Sequence, residues 1–169
     1  MPNNKNSQNR DYPKFLVTDS DVSSLIESVA SVKSLVFSTH NGSIEKSISD
    51  LDIPFTHKEY LLSRMKEENI STGDRNQLVE QLDLVVSEIR DLPVYNAKLA
   101  FDPSRSLIEE VGIWCKKRWG RDAILAIEVD PSIIGGIILT ANGSYFDYSV
   151  KSKLNKQFKV ILDNAQFNL

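Results

Sequence analysis

Val129-Asp130-Pro131-Ser132-Ile133-Ile134-Gly135-Gly136-Ile137-Ile138-Leu139-Thr140-Ala141-Asn142-Gly143-Ser144-Tyr145-Phe146-Asp147-Tyr148-Ser149-Val150-Lys151-Ser152-Lys153-Leu154 is the stretch whose reading decides the fold. An Asp-Pro turn follows an apolar run, and a Gly-Gly pair opens a second one. Asn142-Gly143 then lies between two β-prone segments, a strong hairpin signal, because both central residues of a tight primed turn need positive φ. Asp147 and Ser149 offer side-chain acceptors at the start of a helical pattern with Val150, Leu154 and Phe158 spaced i, i+4. The segment therefore reads as strand, glycine-marked hairpin and capped helix. Its residues suit a scaffold or docking unit rather than a reactive centre.

Outward from this stretch, the pattern upstream is consistent with a small α+β domain. Val94 to Phe101 alternates as a strand. Asp102-Pro103 suggests an N-cap followed by proline at the first helical position, where its missing N–H costs nothing. The helix then runs to about Trp119, with Leu107, Ile108, Val111, Trp114 and Cys115 on its buried side, and Gly120 closes it. Ala123 to Val129 forms the next strand. The order strand–helix–strand–strand–helix predicts two helices on one face of a three-stranded sheet.

Before Leu92-Pro93 the periodicity is helical. A first helix begins near Asp19 or Ser20, both competent caps, and carries Val22, Leu25, Ile26, Val29, Val32 and Val36 on one side. His40-Asn41-Gly42 breaks it, and residues 43–55 read as irregular. Thr56-His57-Lys58-Glu59 has the spacing of a capping box and opens a short helix. A longer helix from about Asp74 to Asp91 presents Leu78, Leu82, Val85, Val86 and Ile89, and ends because the residue before a proline is pushed out of the α region. The expected organisation is a flexible tail over residues 1–14, a helical region over 15–92 and an α+β domain over 93–169. The fold class is thus α+β, with a small all-helical region first.

Composition narrows the function classes. With 41% hydrophobic and 25% charged residues among 169, the chain belongs with ordinary globular proteins. A single cysteine excludes an internal disulfide framework. Met1 to Lys14 is polar and Asn-rich, without the apolar core of a signal peptide. No apolar run approaches the ~20 residues that cross a bilayer, so an intracellular protein without direct membrane insertion is expected. The net charge of −3 conceals a split. Residues 15–92 hold 14 acids against 7 bases, whereas residues 150–169 hold four lysines against Asp163. Such a division suggests two surfaces with different partners.

Candidate chemistry is sparse. Gly135-Gly136 leads into a second β run rather than into a helix, so a phosphate cradle is not implied and a close backbone contact is the better account. His40 and His57 lack partners at metal-ligand spacing. Cys115, beside Trp114 on an amphipathic helix, reads as a small core residue. No catalytic, cofactor-binding or metal-ligating set is found, and no cofactor is expected. Tyr145, Phe146 and Tyr148 beside the lysine-rich last helix raise base stacking with phosphate neutralisation. A sequence pI near 5.4 and a basic patch confined to one helix speak against nucleic acid as a partner.

The segment resembles the C-terminal signature of the F-type ATP synthase delta subunit, the oligomycin-sensitivity-conferring protein family. The matching positions are Asp130 and Ser132, Gly135 and Gly136, Asp147 and Ser149, and Lys151-Ser152-Lys153-Leu154. The likeness covers about residues 93–162. Tyr148 stands where the family usually has glycine. The family's N-terminal domain is a six-helix bundle, longer than residues 15–92 allow, so a shortened form is expected. The resemblance implies a non-catalytic peripheral-stalk, or stator, subunit that joins the catalytic head to the b-type stalk and resists torque. The implied partners are the N-terminal helices of the alpha subunits and the b-type stalk subunit, at the cytoplasmic face of the cell membrane. Along the last helix, Val150, Leu154, Phe158, Ile161 and Ala165 form a stripe. Its part from Phe158 through Ile161 and Ala165 is expected to be wet in the free protein and covered by the stalk. Two alternatives are the E-type stalk subunit of vacuolar and archaeal ATPases, which calls for a long charged helix absent here, and a small RNA-binding α+β module.

Overall fold

The computed structural model describes residues 12–38, 44–68, 74–120 and 122–166, with side chains described to Val160. Most of the expected 1–14 tail, and the break at His40-Asn41-Gly42, lie outside the described residues. The chain divides into two compact units, Met1–Leu92 and Pro93–Leu169.

In the first unit the described helices are α1 (Asp19–Ser38), α2 (Ile44–Asp50), α3 (Phe55–Glu67) and α4 (Arg75–Arg90). Each buries one side at helical spacing. Leu25, Val29, Val32 and Val36 of α1 meet Ile44 and Ile48 of α2, Leu61 and Met65 of α3, and Leu78, Leu82, Val85 and Ile89 of α4 in one core. Arg64 of α3 reaches Glu88 of α4 at 3.0 Å and ties the two helices at the edge of that core.

Three local readings change. Residues 43–55 are not all irregular, since α2 occupies Ile44–Asp50. A seven-residue helix with two buried isoleucines is too short to declare a period, and it forms because its neighbours cover it. Thr56 is not a cap either. The helix begins at Phe55, with the Pro54 carbonyl accepting from His57 N at 3.0 Å and Lys58 N at 3.1 Å, and no side chain caps it. Third, α1 is capped by Thr18 rather than by Asp19 or Ser20, which lie inside the helix, and the reciprocal box is Thr18–Asp21. Asp21 Oδ2 accepts from Thr18 N at 2.8 Å, and Thr18 Oγ1 accepts from Asp21 N at 3.3 Å. Thr18→Ala should therefore cost about 1 kcal/mol, and Thr56→Ala no more than a few tenths. Urea melts of the two variants check this, and a larger loss at Thr56 would contradict it.

Freed from a capping role, His57 is buried in the unit's interior. Its Nδ1 lies 2.8 Å from Ser28 Oγ, and the Phe15 ring sits 4.9 Å away. Ser28 Oγ donates to the Ser24 carbonyl at 3.0 Å, so the tautomer with a proton on Nδ1 completes the pair. Burial pushes the His57 pKa below its ordinary 6.5, and the Asp21 carboxylate opposes this only in part. The unfolded chain then takes up the proton more readily than the folded one. The contribution is complete above the ordinary histidine range and is lost as pH falls below it. Urea midpoints should drop between about pH 7.5 and pH 5.5, with a shallower drop in His57→Asn. Equal slopes, or a His57 imidazole titrating above 6.5 by NMR, would contradict the assignment.

The second unit holds β1 (Val94–Leu99), α5 (Arg105–Trp119), β2 (Ile124–Val129), β3 (Ile137–Ala141), β4 (Ser144–Asp147) and α6 (Val150–Gln166). The sheet has four strands in the order β2-β1-β3-β4, not three, because both arms of the hairpin pair as full strands. β1 runs parallel to β2 and antiparallel to β3. The hairpin closes on Asn142 (φ 52°) and Gly143 (φ 73°), the double positive φ that a two-residue primed turn requires. Tyr95, Ala97 and Leu99 share a face with Leu125, Leu139 and Ala141, and all six are buried.

Helix α5 covers that face, but it starts later than expected. Its cap is Ser104, whose Oγ accepts from Leu107 N at 3.3 Å, so Asp102 and Pro103 precede the helix. The proline merely shapes the approach. Gly120 ends the helix in the left-handed region at φ 72°. Of the five residues expected to be buried on α5, only Cys115 is fully so. Leu107, Ile108 and Val111 are half-buried and Trp114 is 39% exposed. Four short strands offer too little surface to enclose the whole face of a 15-residue helix.

Candidate docking site

The Asp-Pro-Ser corner is a local hydrogen-bonded turn. Asp130 Oδ1 accepts from Ser132 N at 2.9 Å and from Ser132 Oγ at 2.6 Å. Those two bonds hold the Asp130 carboxyl below the usual carboxylate range. Asp130 N donates to Leu99 O at 2.7 Å, which fixes the corner to the end of β1. The same device recurs seventeen residues later by position, at Asp147. Its Oδ1 accepts from Ser149 N at 2.9 Å, and bonds from Ser149, aided by Lys156 and Lys151, hold its carboxyl low. Ser149, itself buried, is the N-cap of α6, accepting from Ser152 N at 3.2 Å.

Gly135 and Gly136 connect these two corners. Val150 N donates to Gly135 O at 3.0 Å and Tyr148 N to Ile137 O at 2.9 Å, so the β3–β4 ladder runs on to the first residue of α6. Both glycines have positive φ, 121° and 84°. A Cβ on Gly136 would lie 2.5 Å from the Tyr148 carbonyl oxygen and 3.0 Å from Ser149 Cα. Gly136 is required because two backbones pass at a separation that only glycine permits, whereas Gly135 is favoured by its φ, an added Cβ there meeting only the Val150 side chain at 3.4 Å. Of the motif residues, Gly135, Gly136, Asp147 and Ser149 root α6 in the sheet, whereas Asp130 and Ser132 fix the corner after β2 to the end of β1.

Tyr148, in the usual glycine position, fits without strain, since Asn142 is the only described non-glycine residue at positive φ. Its ring packs against Trp114 at 5.5 Å. Trp114 meets Trp119 at 5.6 Å, and Trp119 meets Tyr95 at 4.9 Å and Phe146 at 5.5 Å. This aromatic chain bonds α5 to the hairpin beside the helix root. The sequence showed the aromatics but not their meeting, because the rings that join come from β1, α5 and the hairpin, which are far apart along the chain. Tyr145 points to the other face and is 65% exposed. The three hairpin aromatics therefore form no common stacking platform.

Beyond its root, α6 stands clear of the sheet. Val150, Leu154, Phe158 and Val160 are 40%, 41%, 59% and 59% exposed, and no described side chain of the helix from Val150 to Val160 is fully buried. Among the described residues α5 alone covers that sheet face, so the expected two-helix packing is not seen there. The wet part of the stripe begins at Val150, two turns earlier than expected from Phe158. Ile161 and Ala165 belong to the helix, but their side chains lie outside the described residues. Ile134, just before Gly135, is a further exposed apolar residue at 68%. Burial pushes the Cys115 thiol up to about 11, which leaves it without thiolate character at neutral pH. Among the described residues, no helix is long and apolar enough to cross a membrane.

Comparison with known proteins gives the chain a family. Residues 71–160 match the family described as ATP synthase delta (OSCP) subunit. The chain is 40% identical over 72 residues to the ATP synthase subunit delta of Verminephrobacter eiseniae, covering 43% of this chain and 37% of that one. Over 51 residues it is 41% identical to the same-named protein of Geotalea uraniireducens, covering 30% and 28%. Over 61 residues it is 39% identical to that of Lactobacillus delbrueckii subsp. bulgaricus, covering 36% and 34%. The matches thus span about a third of the length of these relatives. The matched region contains β1 through most of α6, together with every residue that roots the helix. With more than half of its length inside the family's pattern, the chain belongs to the ATP synthase delta (OSCP) subunit family.

Proposed function

We propose that this chain is a non-catalytic stator subunit of an F-type ATP synthase, joining the catalytic head to the b-type stalk. The observation that carries the reading is α6: a helix rooted by two backbone bonds and a glycine contact, yet exposing Val150, Leu154 and Phe158 along one side. A subunit that transmits torque needs apolar contact area fixed rigidly to a folded base, and this arrangement supplies both. The stripe, continued in sequence by Ile161 and Ala165, takes the b-type subunit. The first unit, with Phe37, Phe55 and Leu84 exposed and an acidic balance, takes the N-terminal helices of the alpha subunits. The protein is then held peripherally at the cytoplasmic face of the membrane by its complex.

Affinity purification of the tagged chain from native membranes tests this. Alpha and b-type subunits should both co-purify, and a chain ending at Ser149 should keep the head and lose the stalk. Recovery of neither subunit would overturn the proposal.

A further inference from the structure

We infer that α6 selects its partner by charge as well as by shape, and that the segment it takes is a single amphipathic helix with acidic residues beside its apolar seam; this rests on the docking role proposed above. Between Asp147 and Asp163 the chain has no acid, while Lys151, Lys153, Lys156 and Lys159 all lie on α6 and are exposed. At roughly 100° per residue, Val150, Leu154 and Phe158 fall on one narrow side of the helix. On the same wheel Lys151 and Lys153 border the two edges of that side, and Lys156 and Lys159 fall away from it. Two lysines therefore stand where the flanking positions of a facing helix must lie.

The occupant follows from this layout. One large apolar side chain per turn makes a seam the width of a helix–helix contact, narrower than the broad apolar face with which a helix lies in a lipid surface. A second copy of this chain paired in parallel would set Lys151 and Lys153 against the same lysines of its partner. Paired antiparallel it would offer them no acid, since Asp163 falls on the side of the helix away from the stripe. An acidic helix satisfies both the seam and its borders. From Val150 to Ala165 the stripe is about 22 Å long at 1.5 Å per residue, enough for roughly four turns of a partner.

Titration calorimetry of the full chain with the isolated b-type stalk subunit separates the possibilities. Affinity should fall about tenfold or more between about 50 mM and about 300 mM NaCl. Lys151→Glu with Lys153→Glu should weaken binding by a similar factor at low salt and little at high salt. Lys156→Glu with Lys159→Glu should have a much smaller effect. Binding that is tight but indifferent to salt and to all four changes would overturn this inference while leaving the docking role standing. No stalk binding at any salt would overturn both. Concentration-dependent dimers by sedimentation that are lost in Phe158→Ser, or equally strong binding to anionic phosphatidylglycerol vesicles, would assign the stripe to another occupant and overturn the acidic helix.

Discussion

Gly136→Val will unfold the second unit or lower its stability by about 3–5 kcal/mol, near the upper end of single-substitution effects. Two costs combine. The residue sits at φ 84°, where a β-branched side chain is strained, and its Cβ would stand 2.5 Å from a backbone oxygen that belongs to the root of α6. Relief requires either moving Tyr148-Ser149, which breaks the Val150–Gly135 bond, or parting β3 from β4. Gly143→Ala is the internal control. It has a similar φ of 73° but nothing within 4 Å of the added Cβ, so it should cost only about 1 kcal/mol. Thermal melts followed by the ellipticity of the aromatic cluster measure both. Equal losses would mean that backbone strain, not close approach, explains the glycine pair.

The double change Leu154→Ser and Phe158→Ser will behave in the opposite way. Both side chains are substantially exposed, at 41% and 59%, so the variant should melt within about 0.5 kcal/mol of the parent. Removing two anchors of a buried contact, at about 1–3 kcal/mol each, should weaken stalk binding about a hundredfold or more. A variant that unfolds would instead assign these residues to a core, and one that binds normally would move the docking site elsewhere.

Much of this was legible in the sequence where one local rule governs a residue. Asn142-Gly143 announced its turn, Asp74 and Gly120 marked helix ends, and most of the stripes of α1 and α4 lie in the core of the first unit, with Val22, Ile26 and Val86 half-buried. The misreadings arise where rules compete. Asp102-Pro103 and Thr56-x-x-Glu59 both satisfy a start pattern, but Ser104 and Pro54 lie where the backbone turns into the helix. The burial of His57 depends on Ser28, twenty-nine positions away, and no local pattern reports it. For the candidate site, the Asp-x-Ser corners and the Gly-Gly pair were visible, but not that the glycines meet the second corner at the root of α6. Periodicity identified the stripe on α6, yet it is blind to whether such a stripe is covered, because core and interface obey the same spacing.

The central claim is that the exposed side of α6 is where the stalk is held, and a photo-crosslink at that side tests it most directly. With benzoylphenylalanine in place of Phe158, which is 59% exposed, illumination of native membranes should join the chain to the b-type stalk subunit. Capture of an alpha subunit or a second copy of the chain instead, or no crosslink in membranes where the complex is assembled, would contradict the account.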